Sequence, residues 1–206
     1  METLTEDDYN HLRLGAQVLT ADEHGDKVLL LSDETYLKLF RVKRFFTSAR
    51  LFPYWRRFQV NAEKLAEIGI PTLKVREVYR VPHLDRTAVH YDALPGKTLR
   101  EVPHFDAALA AKLGEFIREL HDKGVYLRSM HLGNVVLTPE GELGLIDVAD
   151  MRVKSRPLSN QLRFRNFHHL CRYTEDRQVI EPYADDFLAA FDDAIVPRYR
   201  RMLSGL

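Results

Sequence analysis

Ser129, Asn134 and Asp147 stand five and then thirteen residues apart in YLRSMHLGNVVLTPEGELGLIDVADM. An amide and a carboxylate are hard oxygen ligands suited to Mg2+. Upstream, Lys38 in TYLKLF is a strand cation able to reach phosphates. Glu63 and Glu67, one helical turn apart, offer a carboxylate to pair with that lysine. Glu63 is preferred because it lies further from the helix stop at Gly69. Together these residues fit phosphoryl transfer. That chemistry needs phosphates and metal held and an acceptor oriented, with little covalent help from the protein.

The elements that must position them are readable. AQVLTA, KVLLLS and TYLKLF are short β-rich runs separated by the turn sequences EHGD and SDE. Phe58, Ala62, Leu65 and Ile68 recur at helical spacing within Thr47 to Ile68, and Gly69 with Pro71 ends that helix. VREVYRV and TAVHYDAL complete an expected five-stranded sheet crossed by one helix. DAALAAKLGEFIRELHDKG is an amphipathic helix with Leu109, Leu113, Phe116, Ile117 and Leu120 on one face. NVVLTPEGELGLID reads as a hairpin turning at PEGE, and the chain from Ser159 onward is mostly helical. The fold class is α+β with two lobes, an N-lobe over residues 1–98 and a helical C-lobe over 99–206.

Bulk properties narrow the classes. The 206 residues carry 30 basic and 30 acidic side chains, so no global attraction to nucleic acid is implied. Cys171 is the single cysteine, which excludes an intrachain disulfide and a cysteine metal cluster. METLTEDDYNHLRLG is acidic and polar, unlike a signal peptide, and no apolar run approaches the roughly 20 residues of a membrane span. A cytoplasmic protein is expected.

The loop L-R-S-M-H-L-G-N shares its Arg128 and Asn134 with the kinase catalytic loop H-R-D-L-x-x-x-N, and Asp147 takes the place of the D-F-G aspartate. Ser129 stands where the proton-accepting aspartate would be. Near neutral pH a serine cannot accept a proton as a carboxylate does. His131 and Asp150 are the substitutes within reach in sequence, although a structural hydrogen-bonding role is the plainer reading of His131. The phosphate-covering loop ADEHGDK has one glycine, Gly25, and three acids, Asp22, Glu23 and Asp26. Those acids either point away from a triphosphate or weaken its binding.

YLRSMHLGNVVL and GELGLIDVADMR, with GIPTLKV, ALPGKTL and RNFHHLCRY, resemble the small bacterial lipopolysaccharide-core kinases. These are the Kdo and heptose kinases and the relatives called toluene tolerance proteins. The resemblance spans roughly residues 15 to 175. It implies an ATP- and Mg2+-dependent phosphotransferase acting on a sugar hydroxyl of a lipid-linked saccharide, at the cytoplasmic face of the inner membrane. By the same resemblance Lys38 contacts ATP, Glu63 holds Lys38, Asn134 and Asp147 bind metal, and Ser129 occupies the base position. Two alternatives stand beside it. One is a pseudokinase that binds nucleotide or a partner without transfer. The other is an accessory kinase acting with RNA-modification partners.

Two stretches are basic. Phe40 to Phe58 holds six basic residues and no acid, interleaved with aromatics. It suits anionic lipid headgroups or an inward-packed aromatic cluster, with nucleic acid ranked below both. Arg163 to Tyr173 is a basic helix that suits either an anionic acceptor or plain solvation. His168 and His169 are adjacent, so they diverge on a helix rather than share a metal.

Overall fold

The computed structural model describes residues 1–41 and 53–205. The middle of the basic stretch Phe40–Phe58 lies outside the described residues, so its expected lipid contact does as well.

The N-terminal part runs β1 (Glu2–Thr3), α1 (Glu6–Arg13), β2 (Gln17–Asp22), β3 (Gly25–Leu30), β4 (Tyr36–Arg41), α2 (Tyr54–Glu67), β5 (Lys74–Val81) and β6 (Arg86–Asp92). Its sheet has six strands in the order β1-β5-β6-β4-β3-β2, not the five expected. The sixth strand, β1, pairs parallel with β5 and is two residues long, too short to alternate visibly. The following helix α1 was also unexpected. Thr5 and Asp8 close a capping box at its start, and Tyr9 is buried.

Alternation along β4 assigns the two faces of this sheet. Leu37 and Leu39 join Leu29, Val81 and Ala88 beneath α1, packed with Leu4 and Tyr9. Tyr36, Lys38 and Phe40 point to the other face, toward α2 and the rest of the chain. There Phe40, Phe58, Tyr91 and Tyr36 form a chain of aromatic contacts at 5.4–5.7 Å.

The helical part holds β7 (Lys97–Thr98), α3 (Ala107–Asp122), β8 (Val125–Leu127), β9 (Val135–Leu137), β10 (Leu143–Leu145), β11 (Met151–Val153), α4 (Asn160–Leu170), α5 (Thr174–Ile180), α6 (Ala184–Leu188) and α7 (Val196–Leu203). Asp106 caps α3 by accepting from the Leu109 amide. The predicted hairpin is β9–β10, joined by β7 into a three-stranded sheet, and β8 pairs with β11. Phe167 stacks on Tyr199 at 3.8 Å with Phe187 and Phe191 around them.

The two parts are tied where they meet. The Leu145 amide donates to the Pro71 carbonyl at 2.9 Å, and Thr72 Oγ1 donates to the Leu145 carbonyl at 2.7 Å. Gly144 is needed there, because a Cβ would strike the Pro71 carbonyl. Asn61, buried on α2, donates to the carbonyls of Val148 and Met151 at 2.7 and 3.1 Å.

Candidate active site

The β9–β10 hairpin returns the chain so that Asp147 arrives beside Asn134, and the Ile146 amide donates to the Asn134 carbonyl at 3.0 Å. Asn134 is buried, and its Nδ2 donates to the Ser129 carbonyl at 2.9 Å. That bond fixes the loop and leaves Oδ1 as the acceptor of the amide. Asp147 adopts φ 52°, ψ 51°. This left-handed conformation is uncommon outside glycine but tolerated by aspartate, and it turns the carboxylate out of the hairpin.

Lys38 Nζ meets Asp147 Oδ1 at 2.6 Å and lies 5.0 Å from the centre of the Phe58 ring. The lysine is mostly enclosed, with 18% of its side chain exposed. An ammonium between a carboxylate and an aromatic face is stabilised by both.

Glu63 is not the partner of Lys38. It is exposed and accepts a hydrogen bond from Gln59 Nε2 at 3.0 Å along its own helix. The reason is rotational. Phe58, Asn61, Ala62 and Leu65 form the buried stripe of α2, and this stripe turns Glu63 and Glu67 to solvent. Helix α2 has no other acid, so Asp147 supplies the counter-charge.

Ser129 lines a cavity of about 590 Å³ together with Lys38, Asp147, Asp150, Tyr54 and Arg86. Its Oγ is buried and has no hydrogen-bond partner among the described residues. Asp150 enters the same cavity because β11 pairs with β8 in the register Met151 to Leu127. The Arg128 amide then donates to the Asp150 carbonyl at 3.1 Å, and Arg128 Nη1 sits 3.7 Å from the Asp150 carboxylate.

His131 does not line this cavity. Its ring meets Tyr173 edge-on at 5.2 Å, and its Nδ1 is buried without a hydrogen-bond partner among the described residues. Burial, then the Arg100 guanidinium, hold its pKa below the usual imidazole value. His131, expected as a substitute base, is thus placed outside the cavity that holds Ser129.

Three residues that place the loop were missed. Asp176, 1% exposed, accepts the Leu132 amide at 3.0 Å and a two-pronged Arg100 at 2.7 and 3.0 Å. Asn166 donates to the Leu127 carbonyl at 2.6 Å. Asp176 lies 44 residues from Leu132, and in sequence it looks like an ordinary acid in the first turn of a helix.

The acids of the phosphate-covering loop are engaged. Asp22 accepts from the His24 amide at 2.9 Å and pairs with Lys27 at 3.0 Å, and both interactions lower its pKa. Asp26 pairs with Arg13 of α1 at 2.8 Å. Arg86 Nη2 donates to the His24 carbonyl at 2.7 Å, pinning the tip of the β2–β3 hairpin.

Hard oxygen donors from Asn134 and Asp147 fit a Mg2+ ion. Asp147 retains Oδ2 beside the oxygen that meets Lys38. Among the described residues, no three or more His, Cys, Asp or Glu side chains are arranged to hold a metal.

No protein-family model matches the chain. The sequence is 28% identical over 146 residues to the lipopolysaccharide core heptose(II) kinase WaaY of Escherichia coli strain K12. The match spans 64% of this chain and 62% of the length of that relative. In structure the chain superposes on an aminoglycoside-3′-phosphotransferase of type VIII with TM-score 0.64 at 16% identity, covering 97% of each. A divergent kinase lacking the glycine-rich loop, which regulates membrane ultrastructure of the Toxoplasma parasitophorous vacuole, matches at TM-score 0.46 and 15% identity over 84% of this chain and 62% of its own. The chain therefore has the two-lobed kinase-like fold and is similar in sequence to a lipopolysaccharide-core kinase.

Proposed function

We propose that this protein is an ATP- and Mg2+-dependent phosphotransferase whose acceptor is a sugar hydroxyl of a lipid-linked core saccharide. The observation that carries the reading is the meeting of Lys38, Ser129, Asp147 and Asp150 around one cavity, with Asn134 fixed behind them. The similarity to WaaY supports the acceptor class.

In this reading Lys38 binds the phosphates, and Asn134 Oδ1 with the Asp147 carboxylate holds the metal. Bound Mg2+ would neutralise charge on the phosphates. The acceptor hydroxyl sits at Ser129, whose Oγ, without a hydrogen-bond partner among the described residues, orients it. Its oxygen attacks the γ-phosphorus, the bond to the bridging oxygen breaks, and ADP leaves. The proton passes to the carboxylate of Asp150, which lines the same cavity as Ser129 and is not engaged by Lys38. The lobes divide at residues 98 and 99. The protein works in the cytoplasm, at the inner face of the inner membrane where such an acceptor would be presented.

The test is thermal unfolding with ATP, with and without Mg2+, on wild type and Asp147→Ala. A ligand at a hundred times its dissociation constant stabilises by about 2.7 kcal/mol. Mg2+-dependent stabilisation lost in the variant is the expected result. No stabilisation of wild type at millimolar ATP would end the reading.

A second reading, a nucleotide-binding protein without transfer, draws on Ser129 and on the direct Lys38–Asp147 pair. It predicts ATP stabilisation with no turnover on any core saccharide.

A further inference from the structure

The β2–β3 hairpin lacks the glycines with which a kinase loop covers phosphates, and an amide at its tip is already engaged. The His24 amide donates to Asp22 Oδ1 at 2.9 Å. The end of the sheet offers other donors. Strand β4 ends at Arg41 and β6 begins at Arg86, and the register sets the two arginines directly opposite each other. Both line the cavity that holds Lys38, Ser129 and Asp147.

Arg86 is only 7% exposed, yet among the described residues no carboxylate lies within ion-pair distance of it. Its Nη2 donates to the His24 carbonyl at 2.7 Å, and the rest of the guanidinium fork has no hydrogen-bond partner among the described residues. Arg41 is exposed and likewise has no carboxylate partner among them. The two carboxylates that line the cavity are committed elsewhere. Asp147 meets Lys38 at 2.6 Å, and Asp150 sits 3.7 Å from Arg128. Lys27, also in the cavity wall, is paired with Asp22.

A buried guanidinium without counter-charge is costly, and like charges set opposite across a ladder destabilise it. An anion bound between the two arginines relieves both. Guanidinium groups match phosphate oxygens in pairs. We propose that Arg41 and Arg86 form a fork that holds the phosphate tail of the nucleotide, in place of a glycine-rich loop. Lys38 takes the tail at one point of β4, and the arginines take it at the end of that strand. Arg86 also carries the hairpin tip through the His24 carbonyl, so phosphate binding and closure of the hairpin share one side chain. The arginines bind and position; they exchange no proton and accept no group. This inference rests on the phosphotransferase reading for the identity of the ligand.

The test measures binding of ATP, AMP and adenosine with Mg2+, and of inorganic tripolyphosphate, by calorimetry on the full chain. The variants are Arg41→Gln, which removes a side chain that bonds nothing among the described residues, and Arg86→Lys, which keeps the charge and loses the fork. Each variant should bind ATP about tenfold more weakly and tripolyphosphate more weakly, with adenosine unchanged. The gap between wild type and variant should narrow as salt rises. ATP affinity unchanged in either variant would overturn the fork and leave the phosphotransferase reading standing. Equal weakening of ATP and adenosine would also overturn it, because a merely loosened hairpin gives that result. Variant-sensitive binding of tripolyphosphate by a wild type that ignores ATP would uphold the anion fork and end the phosphotransferase reading. Binding of neither would overturn both.

Discussion

Lys38 finds its carboxylate on the hairpin that carries Asp147, whereas the sequence directs attention to helix α2. The spacing of Ser129, Asn134 and Asp147 was legible because loop, hairpin and aspartate are contiguous. The partner of Lys38 was not, because which side of α2 faces inward depends on packing. Phe58 takes the inward place, and Glu63 goes to solvent. Asp150 was legible as an acid, but its placement depends on the β8–β11 pairing, which joins two strands of three residues each. General-base help is worth about 10²- to 10⁴-fold, or about 3–5 kcal/mol. Asp150→Asn should therefore lower turnover by about 10²-fold or more with ATP stabilisation preserved. Adding Ser129→Asp to that variant should restore much of the rate. Unchanged turnover in Asp150→Asn would remove it from the mechanism.

Helices and hairpins with strong periodicity, α3 and β9–β10 above all, were evident from sequence. The devices that dock one element on another were not, because a single buried amide leaves no periodic trace. Asn61 is the example. Its one side chain holds two carbonyls of the segment that follows Asp147. Asn61→Leu keeps the bulk but strands both acceptors. Each buried unsatisfied polar group costs about 1–3 kcal/mol. A fall in melting temperature is expected, together with weaker Mg2+-dependent ATP stabilisation than the stability loss alone explains. A variant that melts lower but binds ATP normally would confine Asn61 to a structural role. The short β1 and α1 escaped notice for a different reason. Two residues of strand and eight of helix give too little pattern to read.

Across the whole molecule, stability should fall in mild acid. His121 is fully buried between α3 and α4, where Nε2 meets Asn166 Oδ1 at 2.9 Å. Burial pushes its pKa down to about 4. Above the unfolded value near 6.5 the ring is neutral in both states, and nothing is lost. Between about 6.5 and 4 the unfolded chain takes up the proton and the folded chain does not, so stability drops by as much as about 3 kcal/mol. Below 4 this loss levels off. Denaturant titrations from pH 7 to 4 should show the decline, and His121→Gln should flatten it. An identical slope in the variant would place the acid sensitivity elsewhere. The two-lobed kinase-like fold was foreseeable from sequence. The partnership between α1 and the far side of the sheet was not, because it joins residues through packing rather than pattern.

Arg13 on α1 grips Asp26, and Arg86 grips the His24 carbonyl, so the N-terminal helix is tied to the β2–β3 hairpin that lines the Ser129 cavity. They should open as one cooperative unit, the α1 amides exchanging with deuterium at the same rate as the β2–β3 tip. Asp26→Asn would let the hairpin tip exchange sooner than the helix. Nucleotide in the cavity would then slow exchange in α1, on the opposite side of the sheet.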